Sequence, residues 1–332
     1  MKVAVIGAGF CGLAVVWNLL NQLFQPNLEV TLFDKTAIGS GASGVAAGLL
    51  HPYAGAHAKL NWRGKEAFAE ALQLLYLASC HIKAPVFTQN LGVLRLATAL
   101  KQQLDYQKSP ALFDPNVAWL SEKQLQEMVH GCVHVPALWI KQGVTVHCKS
   151  YMKGLWSACQ KKGAFFQKHH FHSLKELKNF SLIIVTAGAL SNHLSELAHL
   201  PLKKVKGQMV EMSWPASLPP LPGALNSYGY IVMKPDGKSC LVGSSYEREA
   251  LDSKVDIQAA TKQIFPKTLS LVPALKNSQI LKGYAGLRAV TKDHLPLISQ
   301  VEKNCWALTG MGSKGLLYHA LMAKELMHSI FL

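Results

Sequence analysis

The sequence has 332 residues, enough for two domains, and its 49% hydrophobic and 16% charged residues exclude a mainly disordered chain. The formal net charge of +15 suggests a polyanionic partner. Composition alone gives equal weight to the alternative that the protein is rich in lysine without binding such a partner. Seven scattered cysteines without a CxxC pair argue against a disulfide framework or a zinc site and favour reduced thiols in the cytoplasm.

The chain opens with the pattern of a nucleotide-binding site. Residues 3–12 read Val-Ala-Val-Ile-Gly-Ala-Gly-Phe-Cys-Gly, an apolar strand that runs into glycines. A helical run follows over 13–20, and a second predicted strand over 29–33 leads to Asp34. Strand, glycines, helix, strand and acid in this order predict a dinucleotide site. A signal peptide fits less well, because glycines interrupt the apolar stretch and no small-residue cleavage site follows.

Each residue of this motif has a physical role. Gly7 permits the tight turn from strand to helix, and Gly12 lets the helix pack close to the sheet. Gly9 lets a pyrophosphate approach the backbone, where free N–H groups and the helix dipole stabilise it. Asp34 is expected to accept hydrogen bonds from both ribose hydroxyls.

The next two segments differ in texture. Residues 38–48 are too rich in glycine for a stable helix and fit a loop around a cofactor better than a flexible linker. Residues 61–83 read as an amphipathic helix. Its apolar face is predicted to contain Phe68, Leu72, Leu75 and Tyr76.

The middle of the chain alternates between strands and helices. Residues 86–98 alternate like a pair of strands around Asn90-Leu91-Gly92. Residues 182–188 form an apolar run that ends in small residues, which is typical of a buried strand in a parallel sheet. The other elements predicted here are helices at 121–130 and 151–161 and a strand at 164–171.

From Lys206 the pattern changes to short strands separated by turns, which predicts an antiparallel meander. A helix is predicted at 256–265. The chain then returns to a strand, a glycine-rich turn and a long helix. The strands of the meander are predicted at 206–213, 228–234 and 239–245, and the final elements at 305–309, 310–315 and 316–330.

Together these elements resemble the D-amino-acid-oxidase-like family of FAD-dependent amine oxidoreductases. The resemblance implies an α/β fold, in which a Rossmann-like FAD-binding domain is interleaved with an antiparallel-sheet substrate domain. The segments that carry it are Gly7 to Gly12 with Asp34, Ser40 to Gly44, Thr186 to Gly188, Gly286 to Arg288, and Gly310 to Leu316. The implied FAD domain spans 1–85, 140–205 and 283–332, and the substrate domain spans 86–139 and 206–282.

Within this family the chain resembles most the oxidoreductase domain of the bifunctional tRNA-modifying MnmC enzymes. That resemblance implies removal of the carboxymethyl group from 5-carboxymethylaminomethyl-uridine at the tRNA wobble position. Two features depart from the pattern: Lys314 stands where arginine is expected, and His51-Pro52-Tyr53 matches only in part. The chain begins at the glycine motif, so a separate methyltransferase is an expected partner. The matching segments are Lys206 to Gln208, Val242 to Arg248, Gly286 to Pro296, and Gly312 to Leu316.

The resemblance also implies a set of FAD-binding residues. Ser40, Ala42 and Ser43 would line the pyrophosphate and ribityl chain, and Phe171 would cover the adenine. Free N–H groups of the turn before the last helix would face the flavin O2/N1 edge. The full set is Gly7, Gly9, Phe10, Cys11, Gly12, Asp34, Lys35, Ser40, Gly41, Ala42, Ser43, Ala47, Gly48, Leu49, Phe171, Thr186, Ala187, Gly188, Arg288, Gly310, Gly312, Ser313, Lys314, Gly315 and Leu316.

The implied chemistry is oxidation of a CH–NH group. An amine that carries an α-carboxylate gives a hydride to the flavin, and the resulting imine hydrolyses, so that no catalytic base is obligatory if the amine enters neutral. The carboxylate needs a fixed cation, and Arg288 is the candidate because a guanidinium binds carboxylate at two points. Tyr230 and His51 are further candidates, with a packed aromatic and a non-catalytic histidine as their alternatives. No metal site is expected.

Two other functions remain open at this stage. One is a glycine, sarcosine or D-amino-acid oxidase or dehydrogenase, and the other is an RNA-binding protein of this fold without turnover. The excess of positive charge favours tRNA, bound through its anticodon loop, over a free amino acid. No membrane span is expected. Lysines expected near the flavin entrance are Lys203, Lys204, Lys206, Lys234 and Lys314.

Overall fold

The computed structural model describes residues 1–21, 28–55, 57–248 and 252–331. The strands in these ranges are β1 (Lys2–Ile6), β2 (Glu29–Asp34), β3 (Leu49–Leu50), β4 (Phe87–Thr88), β5 (Val93–Leu96), β6 (Val117–Leu120), β7 (Ala137–Ile140), β8 (Val144–Val146), β9 (Phe165–Lys168), β10 (Leu182–Val185), β11 (Lys203–Ser213), β12 (Ala224–Asn226), β13 (Tyr230–Met233), β14 (Ser239–Gly243), β15 (Ile280–Val290), β16 (Leu297–Glu302) and β17 (Cys305–Thr309). The helices are α1 (Phe10–Leu19), α2 (Gly64–Ser79), α3 (Leu100–Gln107), α4 (Glu122–Met128), α5 (Cys148–Lys161), α6 (Ile257–Leu269) and α7 (Gly315–Phe331).

A six-stranded sheet has the order β16-β17-β10-β1-β2-β9. All its neighbours pair in parallel except β16 with β17. β1 and β10 lie in the middle of the sheet, and their apolar side chains are largely buried, as parallel strands covered on both faces require. Helices α1, α2, α5 and α7 pack against one another beside this sheet. The parallel α/β arrangement predicted from the N-terminal motif and the run at 182–188 is confirmed.

An eight-stranded sheet has the order β15-β11-β14-β13-β12-β5-β7-β6. It is antiparallel except where β5 runs parallel to β12. Helix α6 packs on it, and Ile264 of that helix is buried in the core formed with the sheet. The three predicted strands are antiparallel, but their predicted order was wrong. β11 pairs with β14 and not with β13, the next of the predicted strands along the chain. The short β12 was not predicted.

Two further predictions fail for local reasons. The expected strand pair at 86–98 is not a pair: β4 joins a three-stranded sheet of order β3-β8-β4, whereas β5 belongs to the eight-stranded sheet. Tyr76 does not lie on the buried face of α2, because its side chain is 54% exposed and packs edge-on against Phe87. The buried face consists mainly of small residues and leucines: Ala67, Phe68, Ala71, Leu74, Leu75 and Ala78.

The division into domains stays a prediction, and the topology bears on one of its boundaries. The boundary at 283 falls inside β15, which pairs with β11 from Ile280 to Val290. We therefore propose that the substrate domain extends to Val290. Among the described residues, no helix is both long and apolar enough to cross a membrane.

Candidate active site

A cleft of about 390 Å³ lies between the carboxyl ends of the parallel strands and one face of the eight-stranded sheet. This position is typical of ligand sites in open α/β folds. Many of the predicted site residues come together here. Those that line the cleft are Gly9, Phe10, Cys11, Ala42, Ser43, Ala47, Gly48, Leu49, His51, Thr186, Gly188, Tyr230, Arg288, Gly310, Gly312, Ser313, Gly315 and Leu316.

The glycine motif forms the turn between β1 and α1. Gly7 has φ +107°, a conformation that side-chain-bearing residues rarely adopt, and its N–H donates to the carbonyl of Phe33 at 2.7 Å. A Cβ on Gly12 would overlap the carbonyl oxygen of Gly7, and one on Gly9 would lie 2.8 Å from Ser43 Oγ. The first turn of α1 carries no acidic side chain. The positive end of this helix dipole therefore faces the cleft with no counter-charge from the helix itself, and the carboxylate near it is that of Asp34, at the Ala8 N–H.

Asp34 fastens the loops around this turn. One carboxylate oxygen accepts the Ala8 N–H at 3.0 Å, and the other accepts the Thr36 N–H at 2.9 Å and the Ser40 hydroxyl at 3.1 Å. A carboxylate offers about four acceptor positions, so these contacts leave room for one ribose hydroxyl rather than for the two expected from sequence. Ser40 does not line the cleft, and its role is to donate a hydrogen bond to Asp34.

The loop after β2 is pinned to the same turn. Ser43 Oγ accepts the Phe10 N–H at 3.1 Å, so the loop closes over the start of α1. Gly48 has φ +92°, and a Cβ there would overlap the Val146 carbonyl. Thr186 closes the other side, because its hydroxyl contacts the carbonyls of Ile6 and Gly7, at 3.0 and 2.8 Å. Backbone therefore forms most of this end of the cleft.

The turn between β17 and α7 completes that end. Gly310 and Gly312 have φ +76° and +56°, and the Thr309 hydroxyl donates to the Gly188 carbonyl at 3.2 Å. The first turn of α7 carries no acidic side chain. Lys314 does not line the cleft, and burial lowers the pKa of its ammonium.

Arg288 lies on β15, in the eight-stranded sheet that forms the other side of the cleft. Its guanidinium occupies the space above Gly207, where a Cβ would overlap it, and Nη2 lies 3.4 Å from Ser244 Oγ. Among the residues that the structure describes, no carboxylate forms an ion pair with Arg288. An arginine held in a cleft without an internal anion is suited to bind an anionic group of a ligand.

Tyr230 places a hydroxyl in the same region. It pairs with Gly243 across β13 and β14, and its hydroxyl lies over that glycine and 3.6 Å from Met209 Sδ. Burial raises the pKa of Tyr230 to about 12, although the nearby positive charge of Arg288 lowers it in part. The hydroxyl thus stays protonated near neutral pH and can donate a hydrogen bond into the cleft.

His51 is 5% exposed, and its Nδ1 has no hydrogen-bond partner among the described residues. Burial, with the positive charge of Arg95, lowers the pKa of His51 to about 3. The imidazole is therefore neutral at physiological pH, and its unpartnered Nδ1 is buried in the protein.

Sequence reasoning missed Arg95, which is only 2% exposed. Its guanidinium donates to the carbonyls of Tyr53 (2.5 Å) and Gly55 and to the Tyr106 hydroxyl (3.2 Å), which fixes the segment after His51. The signal was available, because an arginine inside an apolar strand must find buried acceptors. Ser244 and Met209 were also missed: Ser244 lies in the matching segment Val242 to Arg248 but was given no role, and no local motif marks Met209.

Phe171 is not brought to the cleft. Its side chain is buried in a core cluster, where its ring packs edge-on against Phe33 at 5.1 Å. Its expected contact with an adenine gains no support from this placement, because a side chain packed into the core does not face a ligand in the cleft. The other predicted residues outside the lining are Gly7, Gly12, Asp34, Lys35, Ser40, Gly41, Ala187 and Lys314.

Three of the five lysines expected near the entrance contact other side chains. Lys206 is buried between Glu247 and Asp252, and Lys234 contacts Glu211 at 2.6 Å. Lys204 Nζ lies 2.8 Å from His193 Nε2, while Lys203 is exposed. Two of the five thus neutralise internal carboxylates and are not free to bind a phosphate.

Comparison with known proteins agrees with this geometry. The sequence profile of the DAO family, described as FAD dependent oxidoreductase, matches residues 2–328. The bifunctional protein MnmC of tRNA 5-methylaminomethyl-2-thiouridine biosynthesis from Polaromonas naphthalenivorans is 27% identical over 97% of this chain and 55% of its own length. The corresponding Burkholderia thailandensis protein is 26% identical over 96% and 55%. The chain thus spans about half the length of the curated relatives that it matches.

Solved structures show the same fold. Glycine oxidase from Geobacillus kaustophilus superposes with a TM-score of 0.84 at 20% identity, over 99% of this chain and 94% of that protein. Iminodiacetate oxidase from Chelativorans superposes with a TM-score of 0.80 at 18% identity, over 98% and 94%. The match to the family profile over nearly the whole sequence shows that the chain belongs to the DAO family of FAD-dependent oxidoreductases, with FAD as its cofactor.

Proposed function

We propose that this protein removes the carboxymethyl group from 5-carboxymethylaminomethyl-uridine at the wobble position of tRNA, by FAD-dependent oxidation of a CH–NH group. The observation that carries the proposal is the guanidinium of Arg288, which faces the cleft beside Ser244 without a carboxylate partner among the described residues. The relatives that match almost the whole chain are named for tRNA 5-methylaminomethyl-2-thiouridine biosynthesis. The net charge of +15 supports a polyanionic substrate.

The residues at the glycine end fit FAD. The N-terminus of α1 has no acidic side chain in its first turn, which suits a pyrophosphate, and Asp34 retains room for a ribose hydroxyl. Gly9 and Gly48 line the cleft with bare backbone, which a phosphate or a flat ring can approach closely. When bound, FAD supplies the acceptor for a hydride from the substrate α-carbon. The protein's own residues must position that carbon and keep the amine neutral.

Three side chains serve that purpose in this proposal. Arg288 binds the α-carboxylate at two points, and the Tyr230 hydroxyl donates a further hydrogen bond. His51 lines the cleft and is neutral because of its depressed pKa, so it adds no second positive charge beside the substrate amine. Water then hydrolyses the imine of the released substrate to glyoxylate and the aminomethyl nucleoside, so that no side chain has to act as a base.

A second candidate is oxidation of a free amino acid such as glycine or sarcosine. The fold likeness to glycine oxidase favours it, as does the fact that Arg288 and Tyr230 could bind the carboxylate of any small amino acid. The third reading, an RNA-binding protein without turnover, is less well supported, since the cleft retains an unpaired arginine and bare glycine turns.

The decisive experiment is nucleoside mass spectrometry of tRNA from a strain that lacks this protein. The proposal predicts accumulation of the carboxymethylaminomethyl nucleoside, and its loss when the protein and FAD are added to that tRNA in vitro. Unchanged nucleosides in the deletion strain, together with turnover of free glycine or sarcosine by the purified protein, would favour the second candidate.

A further inference from the structure

Two exposed tyrosines lie at the rim of the cleft. Tyr228 is 59% exposed and occupies the turn between β12 and β13, while Tyr246 is 49% exposed and follows the end of β14. The two strand ends are adjacent, because Tyr230 at the start of β13 pairs with Gly243 at the end of β14. Both tyrosines therefore lie where these two inner strands end, on the same end of the sheet.

The turn that carries Tyr228 and the segment that carries Tyr246 contact each other at this end of the sheet. A Cβ on Gly229 would lie 3.0 Å both from the Gly243 carbonyl oxygen and from Lys267 Cβ. Lys267 Nζ in turn donates to the Ser244 carbonyl at 3.4 Å. The turn that carries Tyr228 is thus packed directly on the segment that leads to Tyr246.

The same segment connects Tyr246 to the anion-binding end of the cleft. Ser244 lines the cleft beside Arg288, and Tyr246 follows two residues later. Ser245 between them is fully buried, with its Oγ accepting the Gln208 N–H at 2.9 Å. Because side chains alternate along extended backbone, Ser244 and Tyr246 point to the same side. Tyr246 therefore lies one step outward from Arg288.

A positive charge accompanies these rings. The guanidinium carbon of Arg248 lies 5.7 Å from the centroid of the Tyr246 ring, within the range of a cation–π contact. Arg248 is exposed, and no carboxylate is paired with it among the described residues. Exposed aromatic faces next to an unpaired guanidinium are the features with which proteins bind single-stranded nucleic acid.

We propose that Tyr228 and Tyr246 form a stacking platform for the unpaired bases that flank the nucleotide in the cleft, and that Arg248 binds a phosphate between them. This inference rests on the proposed tRNA substrate and names its contacts. It fits an anticodon loop, in which a splayed base enters the cleft while its neighbours remain single-stranded. A free amino acid would reach neither tyrosine.

The test measures binding of a labelled anticodon stem-loop RNA to the FAD-loaded protein. Tyr228→Ala and Tyr246→Ala should each weaken binding roughly fivefold to a hundredfold, the range expected for one stacked base, and should raise KM for tRNA more than they lower kcat. Tyr228→Phe and Tyr246→Phe should bind as the wild type does, because they keep the ring. Arg248→Gln should reduce the salt slope by about one.

Tyr76→Ala is the matched control, since Tyr76 is 54% exposed but lies on α2 away from the cleft. It should leave RNA binding unchanged. If the alanine variants bound the RNA as tightly as the wild type, or if the phenylalanine variants lost binding, the proposed platform would be refuted and the proposed function would stand. Failure of the wild-type protein to bind the RNA at low salt would instead refute the proposed function.

Discussion

The two ends of the cleft differ in the groups that form their surface, which are backbone at one end and side chains at the other. At the glycine end the surface is mostly backbone, because residues such as Gly9 and Gly48 have no side chain and let Ser43 and the Val146 carbonyl pack against them. At the other end it consists of the side chains of His51, Tyr230 and Arg288, carried by segments far apart in sequence. In the proposed function the backbone end binds FAD, whereas the side-chain end determines the substrate.

The largest effect is expected from adding a methyl group at the backbone end. Gly12→Ala places a Cβ against the carbonyl oxygen of Gly7, so α1 must move away from the turn. Overpacking of this kind costs about 3 kcal/mol or more at the upper end of its range, which corresponds to roughly a hundredfold loss of FAD affinity. The measurement is the flavin content of the purified protein and its affinity for added FAD.

Gly41→Ala is the matched control for that experiment. Gly41 was included in the predicted FAD-binding set, but it does not line the cleft, and a Cβ there would meet no protein atom within 4 Å. This variant should keep its flavin. Equal flavin content in the two variants would contradict the account of the backbone end.

The side-chain end is tested by Arg288→Lys, which should keep the flavin and lose activity. Lysine preserves the charge but cannot make the two-point contact, and a hydrogen bond to a charged group contributes about 1.5–3 kcal/mol. We expect kcat/KM to fall roughly tenfold to a hundredfold or more. Near wild-type kinetics would remove Arg288 from the site.

A pH titration compares buried histidines at the two ends. His319 lies under the glycine end, where its Nε2 contacts the Tyr151 hydroxyl at 2.5 Å, and burial lowers its pKa to about 4. The pKa of His51 is about 3. Because an unfolded histidine titrates near about 6.5, the unfolded state binds more protons below that pH. The free energy of unfolding should therefore fall as the pH drops from about 6.5 to about 4, by roughly 1.4 kcal/mol per unit for each group.

His319→Phe tests that assignment by removing one of the two groups. Denaturant unfolding measured at several pH values should then show a shallower decline than in the wild type. The same slope in both proteins would mean that His319 is not buried as a neutral imidazole. A flat wild-type curve between these pH values would contradict the prediction for both histidines.

The smallest expected effect belongs to the Tyr230 hydroxyl. Tyr230→Phe removes a single hydrogen-bond donor and leaves the ring over Gly243. In the proposal this single hydrogen bond goes to the substrate carboxylate, and at about 1.5 kcal/mol, the lower end of the range for a charged partner, its loss should lower kcat/KM roughly tenfold. Steady-state kinetics with FAD-saturated protein would measure this, and a loss as large as that of Arg288→Lys would mean that Tyr230 does more than assist the clamp.

The sequence predicted the two ends of the cleft unequally. The turn at Gly7 and the run at 182–188 were predictable, because a glycine motif and a buried apolar strand are local patterns. The position of β11 beside β14 was not, since strand pairing across a long connection leaves no local signal. Arg288 was found through family resemblance, whereas Arg95 and Ser244 acquire their roles only from the tertiary contacts that surround them.

The lysines show the same limit. Lys206 and Lys234 occur in polar segments and were expected to face the substrate, yet they pair with carboxylates that reach them from other strands. Net charge alone could not distinguish a lysine bound to an internal acid from one that is free. The exposed Tyr228 and Tyr246 were not singled out either, because exposure of an aromatic ring is a property of the fold.

The most direct test of the proposed function is anaerobic mixing of the FAD-loaded protein with its candidate substrates. Without an external acceptor, one hydride transfer per active site should bleach the visible absorbance of oxidised flavin. The account predicts bleaching by tRNA that carries 5-carboxymethylaminomethyl-uridine, with one aminomethyl nucleoside and one glyoxylate formed per flavin. Bleaching by free glycine or sarcosine, with none by that tRNA, would contradict it.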